Sequence, residues 1–358
     1  MKKSFLLIAT VAIMMAACSE TDSFKDNNKD VEIGFNSPYL SKPTKAEITS
    51  SWITTDGSAF GVYGYKAGNP VTNLFINEPV TYGSSTTPKW THPTVRYWDK
   101  SAAAATAYSF YAYAPYIESG VSISNGLFTV PLATQVFADA TTAGTIDLCV
   151  AQAVESIGYG NDTYTNPDGT VLFTFNHVLS KLSFKILKAT DMTYDVKLNS
   201  LYVGFPTGTG VVWTQATKPA TQTATGTITY ATYTPATADT YGTTIVTDKS
   251  QTVSNSTSEL IADAHSFIVT PVGNVTGGNP ITNHAINVKV GYTIDYDTNA
   301  SDNVHNYDAQ EAYGVAEIAF AQGNHYFLTI KINPDKIEFD ATEVVEFTTN
   351  TTPEVEVK

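Results

Sequence analysis

Apolar and polar residues alternate with a period of two along much of the chain. The alternation is clearest in residues 31–36, 108–114, 171–176, 182–187 and 326–333. Successive side chains of a β-strand point to opposite faces, so this period predicts strands with one buried face and one exposed face. No stretch of twelve or more residues carries a clear helical stripe, and the Ala-rich residues 100–107 are short. The pattern therefore predicts an all-β fold of the sandwich type.

Clusters of Gly, Pro, Asn and Asp separate the alternating stretches, and a turn-rich cluster at residues 158–169 lies near the middle of the chain. A chain of 358 residues, at about 100–200 residues per domain, has room for two domains. We predict an N-terminal β-sandwich domain over residues 31–165 and a C-terminal one over residues 166–358. The Thr- and Ala-rich residues 214–258 have few large apolar side chains, which predicts surface hairpins or loops.

The N-terminus has the features of an export signal. Lys2 and Lys3 precede a short apolar stretch, and residues 1–17 end in small residues before Cys18. The stretch is too short to span a bilayer as a helix, so it is interpreted as a signal peptide. Met15-Ala-Ala-Cys18 resembles the bacterial lipobox, which predicts lipidation of Cys18; an ordinary signal peptide is the alternative. The polar residues 18–30 are expected to be a tether from the lipid.

Composition and charge narrow the range of functions. Forty-two per cent hydrophobic and 15% charged residues are typical of a packed globular protein. A net charge of −14 argues against nucleic acid as a partner, because phosphate binding requires basic patches. Only two cysteines are present, so no disulfide framework is predicted, and Cys149 is interpreted as a small buried apolar residue.

Candidate catalytic and metal-binding motifs are sparse. The six histidines lack zinc-site spacings, and no GxSxG nucleophile motif is present. His177, between two strand patterns, is interpreted as a turn or core residue. Asp295, Asp297 and Asn299 have the spacing of oxygen ligands in a calcium loop, but Ala300 and Asn306 replace the expected Gly and Glu. An Asx-rich hairpin loop is the alternative, and neither an enzyme nor a required cofactor is predicted.

Three segments, residues 108–115, 173–186 and 323–339, resemble the fimbrillins. These are the lipoprotein-derived type V pilins of Bacteroidales, including minor-fimbria-like members. The resemblance implies two tandem transthyretin-like Greek-key β-sandwich domains. It also implies a pilus subunit that supports adhesion or biofilm, travels to the outer membrane as a lipoprotein and assembles with other pilin subunits. In that family a surface protease removes the first strand, and a C-terminal strand of the next subunit fills the groove.

Two N-terminal segments match the family's processing region. Val31, Ile33 and Phe35 form one apolar face and correspond to the removable strand. Lys45 and Ala46 match the place where fimbrillins typically carry Thr-Arg-Ala, with Lys45 in place of the Arg. Cleavage at this site is expected to use a different trypsin-like specificity. Without cleavage, the protein would be a lipid-held anchor subunit.

The C-terminal tail matches the predicted donor strand. From Ile337 onward most apolar residues fall at odd positions, but one strand over residues 337–357 would span about 70 Å. The pattern is therefore expected to break near residues 341–343, leaving residues 344–358 free for a neighbouring subunit. The apolar face of this segment consists of Val345, Phe347, Val355 and Val357. A final edge strand in the chain's own sheet is the alternative.

A glycan-binding outer-membrane lipoprotein of a polysaccharide-uptake system is the main rival interpretation. It would share the lipobox and the tandem β domains, and it requires exposed aromatic side chains among Trp90, Tyr97 and Trp98. An extracellular hydrolase is a weaker rival, because no acid pair or nucleophile is apparent.

Overall fold

The fold is described from a computed structural model of the chain. The structure describes these residues: 30–35, 39–40, 55–68, 71–86, 90–161, 163, 165, 168–218, 225–247, 250–261, 265–296, 307–333, 336–339 and 343–346.

The first half of the described chain contains strands of two to eleven residues and one turn of 3₁₀ helix, Ala102–Ala104. The strands are β1 (Gly34–Phe35), β2 (Tyr39–Leu40), β3 (Ala59–Lys66), β4 (Thr72–Tyr82), β5 (Trp90–Thr91), β6 (Tyr108–Ala114), β7 (Ser122–Ser124), β8 (Leu127–Ala133), β9 (Phe137–Asp139), β10 (Cys149–Ala151), β11 (Val154–Ile157), β12 (Thr170–Val171) and β13 (Thr174–His177).

The second half contains the longest strands. They are β14 (Ser180–Lys188), β15 (Asp195–Gly204), β16 (Thr207–Thr209), β17 (Val211–Gln215), β18 (Gly226–Tyr230), β19 (Thr232–Thr234), β20 (Thr243–Val246), β21 (Gln251–Thr252), β22 (Glu259–Leu260), β23 (Phe267–Val269), β24 (Asn274–Val275), β25 (His284–Asp295), β26 (Tyr307–Ile318), β27 (Asn324–Ile332), β28 (Ile337–Phe339) and β29 (Glu343–Glu346).

An eight-stranded sheet with the order β2-β13-β10-β6-β3-β4-β5, and with β11 beside β6, organises the N-terminal part. Alternate residues of β6 serve two cores: Phe110 and Ala112 face one, and Tyr111 and Tyr113 face the other. The first core is closed by residues 31–35 and by the stretch around Trp98. The second core packs against a five-stranded sheet with the order β24-β18-β17-β8-β7.

The C-terminal sandwich consists of two further sheets around a third core. One has the order β28-β27-β14-β23-β9, with β22 on β14 and β29 on β27; the other has the order β20-β15-β25-β26, with β21 on β15. At its centre β14 and β27 run parallel, pairing residues 181–188 with residues 325–332. The all-β sandwich class predicted from the alternating pattern is confirmed, and the Ala-rich residues 100–107 contain only the single 3₁₀ turn.

Four sheets join strands from both sides of residue 165: β12 pairs with β1, and β13 pairs with β2 and β10. Strand β8 pairs with β17, and β9 pairs with β23. The domain boundary between residues 165 and 166 therefore stays a prediction. Strands from the two sides of this boundary belong to the same sheets. The expected surface hairpins of residues 214–258 are found only in part, because Ile228 and Tyr230 of the β17–β18 hairpin are fully buried in the second core.

A buried histidine predicts how stability depends on pH. Burial lowers the pKa of His284 from 6.5 to about 4, although its ring Nε2–H donates to the carbonyl oxygen of Thr270 at 3.0 Å. Below pH 6.5 the unfolded chain gains a proton that the folded chain does not, so stability falls as the pH drops toward 4. The expected loss from this group is about 3 kcal/mol. Denaturant unfolding at pH 7 and pH 4.5 should show a smaller pH effect in His284→Gln; an unchanged pH effect would contradict this assignment.

Candidate functional site

Residues 31–35 are hydrogen-bonded on both sides within the N-terminal part of the fold. On one side β1 pairs in parallel with β12, matching Gly34 with Thr170 and Phe35 with Val171. On the other side the amide of Ile33 donates to the carbonyl of Arg96 at 2.8 Å, and the amide of Trp98 donates to the carbonyl of Val31 at 2.9 Å. The segment therefore occupies an internal position rather than an edge.

The apolar face of this segment lies in the first core. Ile33 is 0% exposed and Phe35 is 3% exposed, whereas Glu32, directly before Ile33, is exposed. The Phe35 ring centroid lies 5.1 Å from that of Phe75 and 5.9 Å from that of Phe173. Burial of Ile33 and Phe35 contributes about 3–6 kcal/mol at about 1.5–3 kcal/mol per large apolar side chain.

Four rings form the floor beneath Phe35: Phe75, His92, Phe110 and Phe173. We call this floor, together with the backbone of residues 96–98 and 170–171, the N-terminal groove. The buried His92 ring adds a polar contact, because its Nε2–H donates to the carbonyl oxygen of Ile33 at 3.1 Å. This bond requires a proton on Nε2, and the histidine thereby fixes the backbone of the segment as well as its side chains.

The next described strand after Phe35 is β2. Tyr39 and Leu40 of β2 pair in parallel with Thr174 and Phe175 of β13. The predicted processing residues Lys45 and Ala46 follow shortly in the sequence and lie outside the described residues. Cys18 and its tether also lie outside them.

Gly169 borders the groove in a conformation that favours glycine. Its φ is +85°, in the left-handed region, and its carbonyl accepts the indole N–H of Trp98 at 2.7 Å. A Cβ at this position would lie 2.7 Å from Cγ1 of Val31 and 2.9 Å from Nε1 of Trp98. The close approach of Val31 therefore depends on the missing side chain.

Gly169→Ala is expected to loosen residues 30–35, measured as faster amide hydrogen exchange in that segment. Gly160→Ala is the matched control, because Gly160 has a similar φ of +79 but nothing within 4 Å of an added Cβ. Both variants carry the left-handed strain of about 1–2 kcal/mol, and only Gly169→Ala adds the contact with Val31. Equal exchange in the two variants would contradict the proposed contact.

The C-terminal tail begins as an edge strand of its own sheet. Strands β28 and β29 pair with the same edge of β27, and Val345 is the register partner of His325. Within the described residues no further strand pairs with β29. Phe347, Val355 and Val357 lie outside the described residues, so the donor strand stays a prediction.

Two other sets of predicted residues have different outcomes. Asp295 ends β25 and is buried, whereas Asp297 and Asn299 lie outside the described residues, so the calcium loop stays untested. Trp90 and Trp98 are each 4% exposed, which leaves Tyr97 as the exposed member of the aromatic set expected for a glycan surface. The glycan-binding interpretation is wrong about these two tryptophans, because they pack in the first core.

The packed sheets and the strand-filled groove define a β-sandwich protein whose N-terminal core is completed by its own first strand. A model of the fimbrillin-like family matches residues 44–353, and the chain therefore belongs to the fimbrillin-like family. The family resemblance found in the sequence is confirmed. Family membership identifies a structural protein rather than an enzyme, and it supports a pilus subunit that assembles with other fimbrial subunits in a cell-surface appendage.

One solved structure supports the fold. A fimbrial protein from Bacteroides vulgatus is 19% identical with a TM-score of 0.54, over 89% of this chain and 100% of that chain. A protein of proposed cell-adhesion function from Bacteroides uniformis is 17% identical with a TM-score of 0.43, over 90% of this chain and 99% of that chain. The tip fimbrial protein Mfa3 from Porphyromonas gingivalis is 10% identical with a TM-score of 0.33, over 89% and 100%. No curated protein matches by sequence.

Within the described residues, no helix has the length and hydropathy that a membrane span requires.

Proposed function

We propose that the chain is a pilus subunit exported as a lipoprotein and polymerised by donor-strand exchange. Cys18 carries the lipid that holds the precursor at the outer membrane. Cleavage between Lys45 and Ala46 releases residues 31–35, and residues 344–358 of another subunit take their place. The observation that supports this proposal best is the internal position of residues 31–35, which are hydrogen-bonded on both sides and close the first core.

An emptied N-terminal groove would need a replacement strand. Loss of residues 31–35 removes the backbone partners of Arg96 and Trp98 and uncovers the rings of Phe75 and Phe173. Unpaired backbone groups and exposed aromatic rings favour the addition of another strand. A strand with apolar residues at alternate positions can pair with the backbone groups and cover the aromatic rings. Residues 344–358 have that pattern.

The incoming strand would bury more apolar side chains than the segment it replaces, in which Ile33 and Phe35 contribute about 3–6 kcal/mol. Four buried apolar side chains contribute about 6–12 kcal/mol before ordering and association costs are subtracted. While residues 31–35 remain covalently attached, their effective concentration at the groove is high and a neighbour's strand competes poorly. Cleavage removes that advantage, so proteolysis acts as the trigger for assembly.

The processing step predicts a difference between two substitutions at one position. Trypsin treatment of the purified chain should give a new N-terminus at Ala46 and fibres in electron micrographs. Lys45→Gln should keep residues 31–35 and remain monomeric, because it lacks the cationic side chain that a trypsin-like protease recognises. Lys45→Arg is the matched control and should be cleaved and polymerise. Fibres of Lys45→Gln in the same yield would contradict the trigger.

A lipid-held anchor subunit is the second candidate. The hydrogen-bonded, internal position of residues 31–35 also favours this role. An uncleaved chain keeps its groove filled, so it can donate a strand but cannot accept one. Mass spectrometry of assembled fibres distinguishes the two roles. A polymerising subunit begins at Ala46, whereas an anchor retains acylated Cys18.

A further inference from the structure

Three side chains with metal-ligating atoms converge on the first-core side of the eight-stranded sheet. Cys149 of β10 lies directly opposite His177 of β13, and Asp147 precedes Cys149 by two residues. The pairing continues beside them, because the amide of Val178 donates to the carbonyl of Leu148 at 2.9 Å. Asp147, Cys149 and His177 are 5%, 0% and 4% exposed, so all three are buried.

The donor atoms of this cluster lie close enough to share one ion. Nδ1 of His177 is 3.0 Å from Oδ1 of Asp147 and 3.3 Å from Sγ of Cys149. One ligand atom from each residue lies within 4.8 Å of the others. Adjacent ligands of tetrahedral Zn²⁺ are about 3.3–3.6 Å apart, from metal–ligand distances of about 2.0–2.3 Å. Only small movements would be needed to admit the ion.

We propose that Asp147, Cys149 and His177 form a buried Zn²⁺-binding site. A carboxylate and a thiolate carry two negative charges, which a divalent cation neutralises in this buried setting. Burying the carboxylate costs less when it coordinates a metal than when it is isolated. Sulfur and imidazole ligands favour Zn²⁺ over Ca²⁺ or Mg²⁺, which prefer oxygen. The three residues supply three of the four positions of a tetrahedral ion.

The backbone around Cys149 is fixed by strand pairing on both sides. Strand β10 lies between β6 and β13, and Cys149 pairs with Ala114 on one side and with His177 on the other. Ligands on a central strand are preorganised, so little ordering is needed when the ion binds. The ion would link β10 to β13, the strand that also pairs with β2.

The test uses the full chain with Cys18→Ser, which leaves Cys149 as the only thiol. The protein is freed of metal with a chelator and titrated with zinc alone against a chromophoric competitor. One equivalent should bind with a dissociation constant below about 1 µM. Cys149→Ser and His177→Gln should each weaken zinc binding by at least about 100-fold. Removal of a group that only hydrogen-bonds to a metal ligand already costs about 10–100-fold in affinity, and loss of a ligand itself should cost more. His265→Gln is the control, because its exposed ring pairs with Asp139 away from the cluster and its removal should leave binding unchanged.

A second measurement keeps the cluster intact and does not depend on folding of the variants. Cobalt added to the metal-free Cys18→Ser chain should give a near-ultraviolet thiolate-to-cobalt charge-transfer band, which zinc should abolish. Failure to bind one equivalent of zinc, absence of the cobalt band, or equal zinc affinity in folded Cys149→Ser would each overturn the proposal.

Discussion

Deletion of residues 344–358 is expected to abolish fibre formation and to leave a folded monomer. The segment contains the four apolar residues of the proposed donor face, Val345, Phe347, Val355 and Val357. The third core already includes Ile337 of β28, which pairs with the end of β27. The deletion removes only the edge strand β29 from the described sheets, so its cost to the chain's own fold is small. Size-exclusion chromatography and electron microscopy after trypsin treatment measure both outcomes.

A matched pair of variants separates the donor face from the length of the tail. Val355→Thr with Val357→Thr removes apolar side chains from the donor face and should reduce polymer yield strongly. Glu354→Gln with Glu356→Gln changes the intervening polar positions and should polymerise like the unaltered chain. Polymers of the truncated protein, or equal loss in the two double variants, would contradict the donor role of this segment.

Phe35→Ala is expected to release the first strand of the unprocessed chain while leaving the processed fibre unaffected. Phe35 is 3% exposed and its ring contacts Phe75, Phe110 and Phe173. Truncation of a buried Phe costs about 3–5 kcal/mol, because apolar contacts are lost and a cavity remains. In the processed subunit the residue has been removed, so no cost remains there. Protection of the Ile33 amide from hydrogen exchange measures the effect in the precursor.

Glu32→Ala is the control for this prediction, because Glu32 is exposed on the opposite face of the same segment. Substitution at such a position changes stability by about 0.5 kcal/mol or less. A loss of protection in Phe35→Ala no larger than in Glu32→Ala would show that the ring does not hold the segment. Weaker fibres from processed Phe35→Ala would show that the segment had not been removed.

The alternating pattern predicted strands well where a strand has distinct faces. It identified β6, β14 and β27, and it placed Ile33 and Phe35 on a buried face. The side-chain period of two is a property of the strand itself, so it is visible in sequence. Pairing between distant strands is not, which is why the contact of β8 with β17 across residue 165 was not predicted. The buried Ile228 and Tyr230 were missed because their surroundings are rich in Thr and Ala.

The site was predictable only in part for the same reason. Val31, Ile33 and Phe35 carry a local pattern, whereas His92 and Gly169 contact them only after long-range folding. The three-residue cluster was also hidden. Spacing places Asp147 and Cys149 on one face, but only the register of β10 with β13 brings His177 opposite Cys149.

The central claim is that the tail of one subunit occupies the N-terminal groove of another. A photo-crosslinking benzoyl-phenylalanine in place of Phe347 tests it most directly. Irradiated fibres should give a ladder of covalent oligomers, with crosslinked peptides that contain Phe75, Phe110 or Phe173 of the N-terminal groove. Crosslinks confined to the same chain, or to residues remote from that groove, would contradict the account.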